Sequence, residues 1–333
     1  MYLEWNLRFN KKILKNGLEL YGGYTDNCKE LMGRQNVIYS FRCSGKEYII
    51  RFSSSLRRSI MEIEAELDWI FFLHNNEISV SKPIYSKYNN LVEVVDGDGI
   101  QFYVVVFEKA KGIYVANEFR TKKMFFLLGK YVGKMHCLTK KYNPSEKIWK
   151  RPHWYNSKLF DFINMNIPQR ENKIHEIFNE TICETKKLVI DSDSYGLIHS
   201  DIHYRNFNIM DDTITLFDFD DCEYGWFVKD ISNIIFYTYV ENYSSSNKEN
   251  DMKIFLINFF KGYYEENDLD DRWILKLPLF LKIREIVMYA MLYDWKKFTH
   301  CSVWVSEFMK ERKNFIEESI PTIREINFND INI

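Results

Sequence analysis

The residue types that could do chemistry in this chain are concentrated just beyond its midpoint. Two short apolar runs, Phe207 to Met210 and Ile214 to Phe217, flank the dipeptide Asp211-Asp212, and this arrangement predicts an antiparallel β-hairpin. Asn206 comes directly before the first run, and Asp218 comes directly after the second. Because a hairpin reverses the chain, we expect both side chains to lie at its open end, where they could share one cation.

The chemistry that these residues suggest is phosphoryl transfer. An amide oxygen and a carboxylate are hard oxygen ligands suited to Mg²⁺, which keeps several of its waters when it binds protein. Asp201 lies five residues before Asn206 in a predicted loop, where it could face the cation and orient a hydroxyl or accept its proton. Single Asp and Asn residues usually form turns, but the pattern HxDxxxxN followed by a strand ending in DFD favours phosphoryl transfer.

The first part of the chain reads as an antiparallel sheet with one helix. Apolar runs bounded by turn residues predict strands, and a capping box formed by Ser59 and Glu62 predicts the start of a helix with one apolar face. The predicted elements are strands at 36–41, 47–52, 91–95 and 102–107, turns at 43–46 and 96–99, and a helix over about 59–73.

The remainder of the chain reads as mainly helical. Long apolar-periodic stretches predict helices at 124–138, 231–239, 252–264 and 277–297. A short polar segment with a glycine, residues 108–112, separates the two parts and could act as a hinge. The predicted fold class is therefore α+β. We expect a small N-terminal part over 1–107, a hinge over 108–112 and a helical C-terminal part over 113–333.

The motif resembles one found in the aminoglycoside phosphotransferase and choline kinase-like branch of the protein-kinase superfamily. In that family HGDxHxxN is followed by a strand ending in DFD or DWE, and the matching residues are His199 to Asn206 and Asp218 to Asp220. The resemblance covers most of the chain and implies a two-lobed, protein-kinase-like fold. It also implies that Asp201 is the catalytic base and that Asn206 and Asp218 hold Mg²⁺.

The same resemblance assigns nucleotide-binding roles to the first part of the chain. Arg51, in YIIRF, would bind the nucleotide phosphates, and Glu66 on the following helix would hold Arg51 in place. Helical periodicity places Glu62 and Glu66 at one edge of the apolar stripe and Glu64 at the other, so Glu66 is chosen by the resemblance. Arg51 stands where most kinases have lysine, and an arginine fork differs in shape from an ammonium group. The preference for ATP over GTP therefore stays open.

The segment between the two parts resembles the adenine-binding linker of the family, in which backbone groups contact the base. The resemblance implies that Phe107 closes the back of the nucleotide pocket. It further implies that the carbonyl of Glu108 and the amide of Ala110 meet the purine edge.

The expected activity is transfer of the γ-phosphoryl group of ATP, with Mg²⁺, to a hydroxyl of a small molecule. The acceptor would be an aminoglycoside-like antibiotic or an amino-alcohol or sugar metabolite. A Ser/Thr protein kinase of the bacterial stress-response type is an alternative within the same fold. A nucleotide-binding pseudoenzyme that scaffolds a partner is another, although the intact Asp201, Asn206 and Asp218 argue against it. Motifs typical of P-loop, Rossmann, zinc-protease and hydrolase sites are missing from the sequence.

Two features of the C-terminal part could contribute to the acceptor site. The acidic run 265–271 could line a pocket for polyamines, but a solvated helix end is the simpler interpretation. Aromatic residues could form a cage for a quaternary amine, but helical spacing makes most of them core residues. These aromatic candidates are Tyr263, Tyr264, Trp273, Tyr289, Tyr293 and Trp295.

Composition excludes several other classes of function. The chain has 45 basic and 47 acidic residues, for a net charge of -2, so we expect neither nucleic acid nor an anionic membrane as a partner. Its six cysteines are scattered without a CxxC pair, and no run approaches the roughly 20 apolar residues that span a bilayer. We therefore expect a cytoplasmic protein, and the sequence does not indicate its oligomeric state.

Overall fold

The structure is a computed structural model that describes residues 8–31, 33, 35–116, 120–156, 158–241, 246–296, 303–324 and 326–328. The chain divides into two compact units, which are described separately below. The first unit comprises Met1–Tyr114, Tyr142–Arg151 and Phe207–Asp220, and the second comprises Val115–Lys141, Pro152–Asn206 and Asp221–Ile333.

An antiparallel sheet forms the centre of the first unit. Its strand order is β1-β2-β3-β6-β4, and β5 pairs with the same strand β6. All the strands predicted for this region are confirmed, and most are longer than predicted. The turn between β5 and β6 contains only Asp98 and Gly99, because Gly97 pairs with Ile100. The strands are β1 (Cys28–Leu31), β2 (Val37–Cys43), β3 (Lys46–Ser54), β4 (Pro83–Ile84), β5 (Glu93–Gly97) and β6 (Ile100–Glu108).

Two helices accompany this sheet, one of which the sequence analysis did not predict. Helix α1 (Lys11–Leu20) begins at Asn10, whose side chain accepts hydrogen bonds from two backbone N–H groups of the first turn. It buries a short apolar stripe in the same core as Phe52 and Phe102. The predicted helix is confirmed as α2 (Ile60–Asn75), with both hydrogen bonds of the Ser59 capping box present.

The predicted hairpin is also part of the first unit. Strand β9 (Phe207–Met210) pairs with β10 (Thr213–Leu216), and β7 (Ile113–Tyr114) pairs with β9 on its other side. The second strand begins one residue earlier than predicted. Asp211 and Asp212 form the turn with φ values of 47° and 65°, which is the left-handed pair that a two-residue hairpin turn requires.

The second unit is mainly helical, as predicted, and each of the four predicted helices is confirmed. Strand β8 (Tyr195–Ile198) directly precedes the HxDxxxxN motif. It pairs antiparallel with β11 (Glu223–Trp226), which follows the DFD sequence. The helices are α3 (Lys122–Thr139), α4 (Leu159–Asn166), α5 (Asn172–Thr185), α6 (Phe227–Glu241), α7 (Lys248–Tyr263), α8 (Asp271–Ile274), α9 (Leu277–Lys296) and α10 (Val303–Glu317).

Helices α3 and α7 approach each other closely because glycines lie at their contact. A Cβ atom built on Gly129 would lie 1.8 Å from the carbonyl oxygen of Phe259, and one built on Gly262 would lie 2.0 Å from that of Phe126. Both obstacles are backbone atoms, which a rotamer change cannot move. The crossing therefore depends on residues without a side chain.

The sequence also raised the questions of membrane-spanning segments and of cysteine pairing. No helix among the described residues combines the length and the apolar character that crossing a membrane requires. Within the same residues, the cysteines Cys28, Cys43, Cys137, Cys183 and Cys222 carry free thiols, whereas Cys301 lies outside the described part of the chain.

We predict that Gly129→Ala destabilises the protein despite the helix propensity of alanine. The propensity gain is about 1 kcal/mol, whereas a side chain forced into a filled helix contact costs about 2 to 3 kcal/mol. Thermal unfolding should show a lower Tm for Gly129→Ala. The control Lys122→Ala, at an exposed position of the same helix, should leave the Tm nearly unchanged. An unchanged Tm in Gly129→Ala would show that the helices can separate at little cost.

Candidate active site

The loop that carries the HxDxxxxN motif belongs to the second unit and is held by a buried carboxylate. Asp230, at the start of α6, is fully buried and accepts hydrogen bonds from the backbone N–H groups of His199 at 2.9 Å and Ser200 at 2.6 Å. Asn233, on the same helix, donates to the Ser200 carbonyl at 2.6 Å. Ser200 has a φ of 69°, a left-handed conformation that explains why glycine is common at this position of the family motif.

Side chains within the loop hold its remaining backbone. The Nδ1 atom of His199 accepts a hydrogen bond from the backbone N–H of Asp201 at 3.3 Å, and Asn206 donates its side-chain N–H to the Asp201 carbonyl at 2.9 Å. His199 is fully buried, and this hydrogen bond gives it a structural role in the loop. The Asp201 main chain is thus fixed from both sides.

The Asp201 carboxylate lies between two basic side chains. Its Oδ1 accepts a hydrogen bond from Nη2 of Arg284 at 3.1 Å, and its Oδ2 lies 3.4 Å from Nε2 of His203. The side chain is 26% exposed. Burial raises the pKa of Asp201, but His203, Arg284 and then His199 outweigh it, and the pKa lies well below its usual range. The carboxylate is therefore ionised at neutral pH.

Arg284 is a residue of this site that the sequence analysis missed. It lies on α9, 83 residues from Asp201, and also contacts the hydroxyl of Tyr237 on α6. Its guanidinium lies 4.7 Å from the centre of the Tyr237 ring. Burial lowers the pKa of Arg284, but Tyr237 and Asp201 more than compensate, and the group stays charged. No sequence spacing connects these helices, so only the tertiary structure could reveal the contact.

In the first unit, Arg51 on β3 and Glu66 on α2 form a bidentate ion pair. Their hydrogen bonds are 2.8 and 2.7 Å long, and both side chains are almost fully buried. Glu62 instead caps α2 and contacts Arg58, and Glu64 is exposed. The structure thus selects Glu66 among the three glutamates. Burial lowers the pKa of Arg51, but the charge of Glu66 and its hydrogen bonds raise it above its ordinary value.

The predicted linker residues follow directly on β6. The guanidinium of Arg51 lies 5.1 Å from the centre of the Phe107 ring, which is itself buried. The Glu108 N–H donates to the carbonyl of Lys82 at 2.8 Å, and the Ala110 carbonyl accepts from Asn208 at 3.1 Å. The groups expected to meet a purine are the Glu108 carbonyl and the Ala110 N–H. These two contacts instead use the Glu108 N–H and the Ala110 carbonyl.

Asp218 follows the hairpin in the first unit and is an exposed residue. Its φ of 64° is a left-handed conformation, which Asp tolerates better than most residues. The negative charges of Asp220 and Asp218 contribute to raising the pKa of Arg51. Asp218 therefore lies within electrostatic reach of the residue expected to bind phosphate.

Asp220 is buried at the centre of a cluster of arginines. Its carboxylate pairs with Arg57 and Arg58, and Asn36 donates to it at 3.0 Å. Arg151 donates to its backbone carbonyl at 2.8 Å. Burial raises the pKa of Asp220, but Arg57, Arg58 and Arg51 outweigh it and hold the pKa well below its usual value.

The acceptor candidates from the sequence fall into surface and core residues. The acidic run 265–271 is largely exposed, and its residues 268–271 line, with Lys140, Asp193 and Tyr264, an open groove of about 640 Å³ in the second unit. Tyr263 and Trp273 are buried in the core. Tyr289 donates to buried Glu171 at 2.7 Å, and Tyr293 contacts the same carboxylate. Trp295 lies among residues whose side chains the structure does not describe.

Comparison with known proteins gives consistent results. Residues 32–251 match the family described as "Phosphotransferase enzyme family". The chain is 34% identical over 289 residues to amicoumacin kinase from Bacillus subtilis (strain 168), covering 85% of each chain.

Solved structures agree with this match. One structure, of the amicoumacin kinase hAmiN in complex with AMP-PNP, Ca²⁺ and Ami, is 31% identical with a TM-score of 0.93, covering 99% of each chain. Spectinomycin phosphotransferase shares the fold, with a TM-score of 0.62 at 18% identity, over 96% of this chain and 99% of the other. The predicted protein-kinase-like fold and the predicted ATP-dependent transfer to a small-molecule hydroxyl are confirmed, and this chain belongs to the phosphotransferase enzyme family.

Proposed function

We propose that this protein transfers the γ-phosphoryl group of ATP to a hydroxyl of amicoumacin or of a close analogue. The observation that carries this proposal is its similarity over nearly the whole chain to amicoumacin kinases. Two solved structures named as aminoglycoside phosphotransferases share the fold at 11 and 12% identity, which does not support an aminoglycoside as the acceptor. The alternatives of a protein kinase and a pseudoenzyme are not favoured.

Asp201 is the residue we propose as the base. The acceptor oxygen forms a bond to the γ-phosphorus while the bond from that phosphorus to the β–γ bridging oxygen breaks, and ADP leaves with the electron pair. Asp201 orients the hydroxyl and takes its proton as this happens. An ionised carboxylate whose backbone is held on both sides suits that role. A general base must first be positioned within hydrogen-bonding distance of the proton that it takes, and its pKa matters after that.

Asn206 and Asp218 are the proposed ligands of the divalent cation. A bound Mg²⁺ would neutralise the phosphate oxygens during transfer. The side-chain nitrogen of Asn206 donates to the Asp201 carbonyl. The side-chain oxygen of Asn206 is therefore the atom that suits a metal, and these two ligands fit Mg²⁺. The hairpin register supports assigning Asn206 and Asp218 to the same cation. Phe207, the residue after Asn206, pairs with Leu216, and Asp218 follows two residues later.

Arg51 is the proposed phosphate-binding residue, with Glu66 as its support. Both terminal nitrogens of Arg51 bond to Glu66, and its Nε has no hydrogen-bond partner among the residues described. A buried donor without a partner is costly unless a ligand or water satisfies it. A nucleotide phosphate oxygen would provide that partner.

The nucleotide base is assigned to the segment after β6. We propose that Phe107 closes the back of the adenine site and that the Glu108 carbonyl and Ala110 amide pair with the base. In this proposal residues 1–107 form the nucleotide-binding lobe, 108–112 the hinge and 113–333 the catalytic and acceptor-binding lobe. A cytoplasmic location also stays part of the proposal, as does the absence of nucleic acid as a partner.

The first experiment tests the substrate and the base together. Purified protein with ATP and Mg²⁺ should convert amicoumacin to a monophosphate ester, measured by mass spectrometry and ³¹P NMR. Asp201→Asn should lower kcat by roughly 10²- to 10⁴-fold, the usual contribution of a positioned base, while AMP-PNP binding persists. Asp211→Asn, in the exposed hairpin turn, is the matched control and should keep full activity. Undiminished transfer by Asp201→Asn would remove Asp201 from this role.

The metal assignment predicts a changed Mg²⁺ requirement in Asp218→Asn. Asparagine tolerates the left-handed backbone of this position, so the variant should fold. Losing the carboxylate should raise the Mg²⁺ concentration at half-maximal transfer by at least about 10-fold. The measurement is a Mg²⁺ titration at saturating ATP and acceptor, with Asp212→Asn from the hairpin turn as control. An identical titration curve for Asp218→Asn would contradict the assignment.

The role of Arg51 can be separated from its contribution to stability. Arg51→Met leaves Glu66 buried without its cation, which should cost about 3 to 5 kcal/mol of unfolding free energy. Arg51→Met combined with Glu66→Met removes both charges and should recover most of that loss in urea unfolding. ATP binding should stay weak in both variants, because the phosphate partner is missing from each. Normal ATP affinity in the stable double variant would show that Arg51 has only a structural role.

A further inference from the structure

Ser200 stands where the family motif has glycine, and its side chain makes contacts that glycine cannot make. Lys229, in the first turn of α6, donates a hydrogen bond to Ser200 Oγ at 2.6 Å. Ser200 donates its hydroxyl proton to Oε1 of Glu223, the first residue of β11, at 3.1 Å. Lys229 also forms an ion pair with Glu223. These three residues, the Ser200 cluster, connect the loop to both β11 and α6.

The hydrogen bonds of the Ser200 cluster have a single direction. An ammonium group has three donors and no acceptor, so Ser200 Oγ accepts from Lys229 and its own proton goes to Glu223. The side chains of Glu223 and Lys229 are only 8% and 14% exposed. Charges with so little access to water are tolerated where they are paired and hydrogen-bonded. The hydroxyl of Ser200 is therefore held between two charged groups in one orientation.

The backbone conformation of Ser200 makes the presence of a side chain informative. Its φ of 69° lies in the left-handed region, which glycine adopts without strain and serine does not. Asp230 accepts from the Ser200 N–H, and Asn233 donates to the Ser200 carbonyl. Glycine could make these backbone contacts equally well. The strain of serine is therefore offset by the contacts of its hydroxyl to Glu223 and Lys229.

The residue that these contacts affect is Asp201, which follows Ser200 directly. A catalytic group must stay within about 0.5 Å of its productive position, and a displacement of about 1 Å can cost roughly 100-fold in rate. Asp230 and Asn233 both belong to α6, so their contacts tie the loop to that helix. The Ser200 cluster adds a connection to β11 and restricts the backbone next to Asp201.

We propose that Ser200, Glu223 and Lys229 act as one unit that positions the Asp201 carboxylate against the acceptor hydroxyl. They act on the reaction through the backbone of Asp201, so they are positioning residues. The step that depends on them is phosphoryl transfer, whereas binding of ATP and of the acceptor does not. This inference rests on the proposed kinase activity with Asp201 as base.

Two variants of Ser200 separate position from stability, because both remove the hydroxyl but differ in backbone strain. Ser200→Gly and Ser200→Ala should each lower kcat for amicoumacin phosphorylation by roughly 10- to 100-fold, with unchanged KM for ATP and amicoumacin. Ser200→Gly should nevertheless have a higher Tm than Ser200→Ala, because glycine adopts the left-handed conformation without strain. A kcat that follows Tm across the two variants would assign the loss to stability and overturn the proposal.

Ser232→Ala is the matched control for the loss of a hydroxyl. Ser232 is a buried serine of the same helix, and its hydroxyl donates to the backbone carbonyl of Lys229 at 2.7 Å. Because that hydrogen bond stays within α6, the variant should keep the wild-type kcat even if its Tm falls. A loss of kcat equal to that of Ser200→Ala would show that any cavity near the loop has the same effect.

A combined variant tests whether the three residues act as one unit. Glu223→Met with Lys229→Met removes both charges together, so that neither is left buried without its partner. This pair should lower kcat as much as Ser200→Ala does. Adding Ser200→Ala to the pair should cause little further loss, because residues that act as a unit are not additive. Losses that multiply would show separate roles and contradict the proposal.

The outcomes separate this inference from the proposed function. If wild-type protein phosphorylates amicoumacin and Ser200→Gly keeps an undiminished kcat, the role of the Ser200 cluster is overturned and the proposed function stands. A raised KM with an unchanged kcat in Ser200→Gly would have the same meaning. Absence of transfer by wild-type protein that binds AMP-PNP would refute the proposed function, and this inference with it.

Discussion

The site depends first on one buried carboxylate that is not itself placed to react. Asp230 is fully buried and accepts the backbone N–H groups of His199 and Ser200, and its Oδ2 lies 3.3 Å from Nε2 of His136. Buried charge is tolerated only when hydrogen bonds satisfy it, so α6 and the loop are held in one arrangement. That arrangement places Asp201 where Arg284 and His203 can meet its carboxylate.

Buried charged side chains are also paired with opposite charges in the first unit. Arg51 and Glu66 form a bidentate pair with almost no exposed surface. Asp220 is surrounded by arginine side chains and by Asn36. Removing one member of such a pair leaves an unpaired charge, which costs far more than the pair itself contributes. These contacts therefore define the orientation of the side chains next to the proposed nucleotide site, more than they add to stability.

Much of the architecture could be predicted from local sequence signals. The capping box at Ser59, the Asp211-Asp212 turn and the apolar periodicity of the long helices each act over a few residues, and the corresponding elements are confirmed. Helix α1 was missed although Asn10 is a good N-cap, because its apolar stripe is short. The pairing of β8 with β11 was also missed, because strands that meet across an intervening hairpin leave no local pattern.

By itself, the sequence determined the fold class, the family and the residues of the HxDxxxxN and DFD motifs, since these rest on residue type and short spacing. Helical periodicity alone did not choose among the three glutamates of α2, and Glu66 was named as the partner of Arg51 through the resemblance. The tertiary structure shows the expected contact between Glu66 and Arg51, and it alone decided that Asp220 is buried and that Arg284 lies beside Asp201. The physical reason is that contacts between distant elements depend on how helices and strands pack, which local propensity and periodicity do not encode.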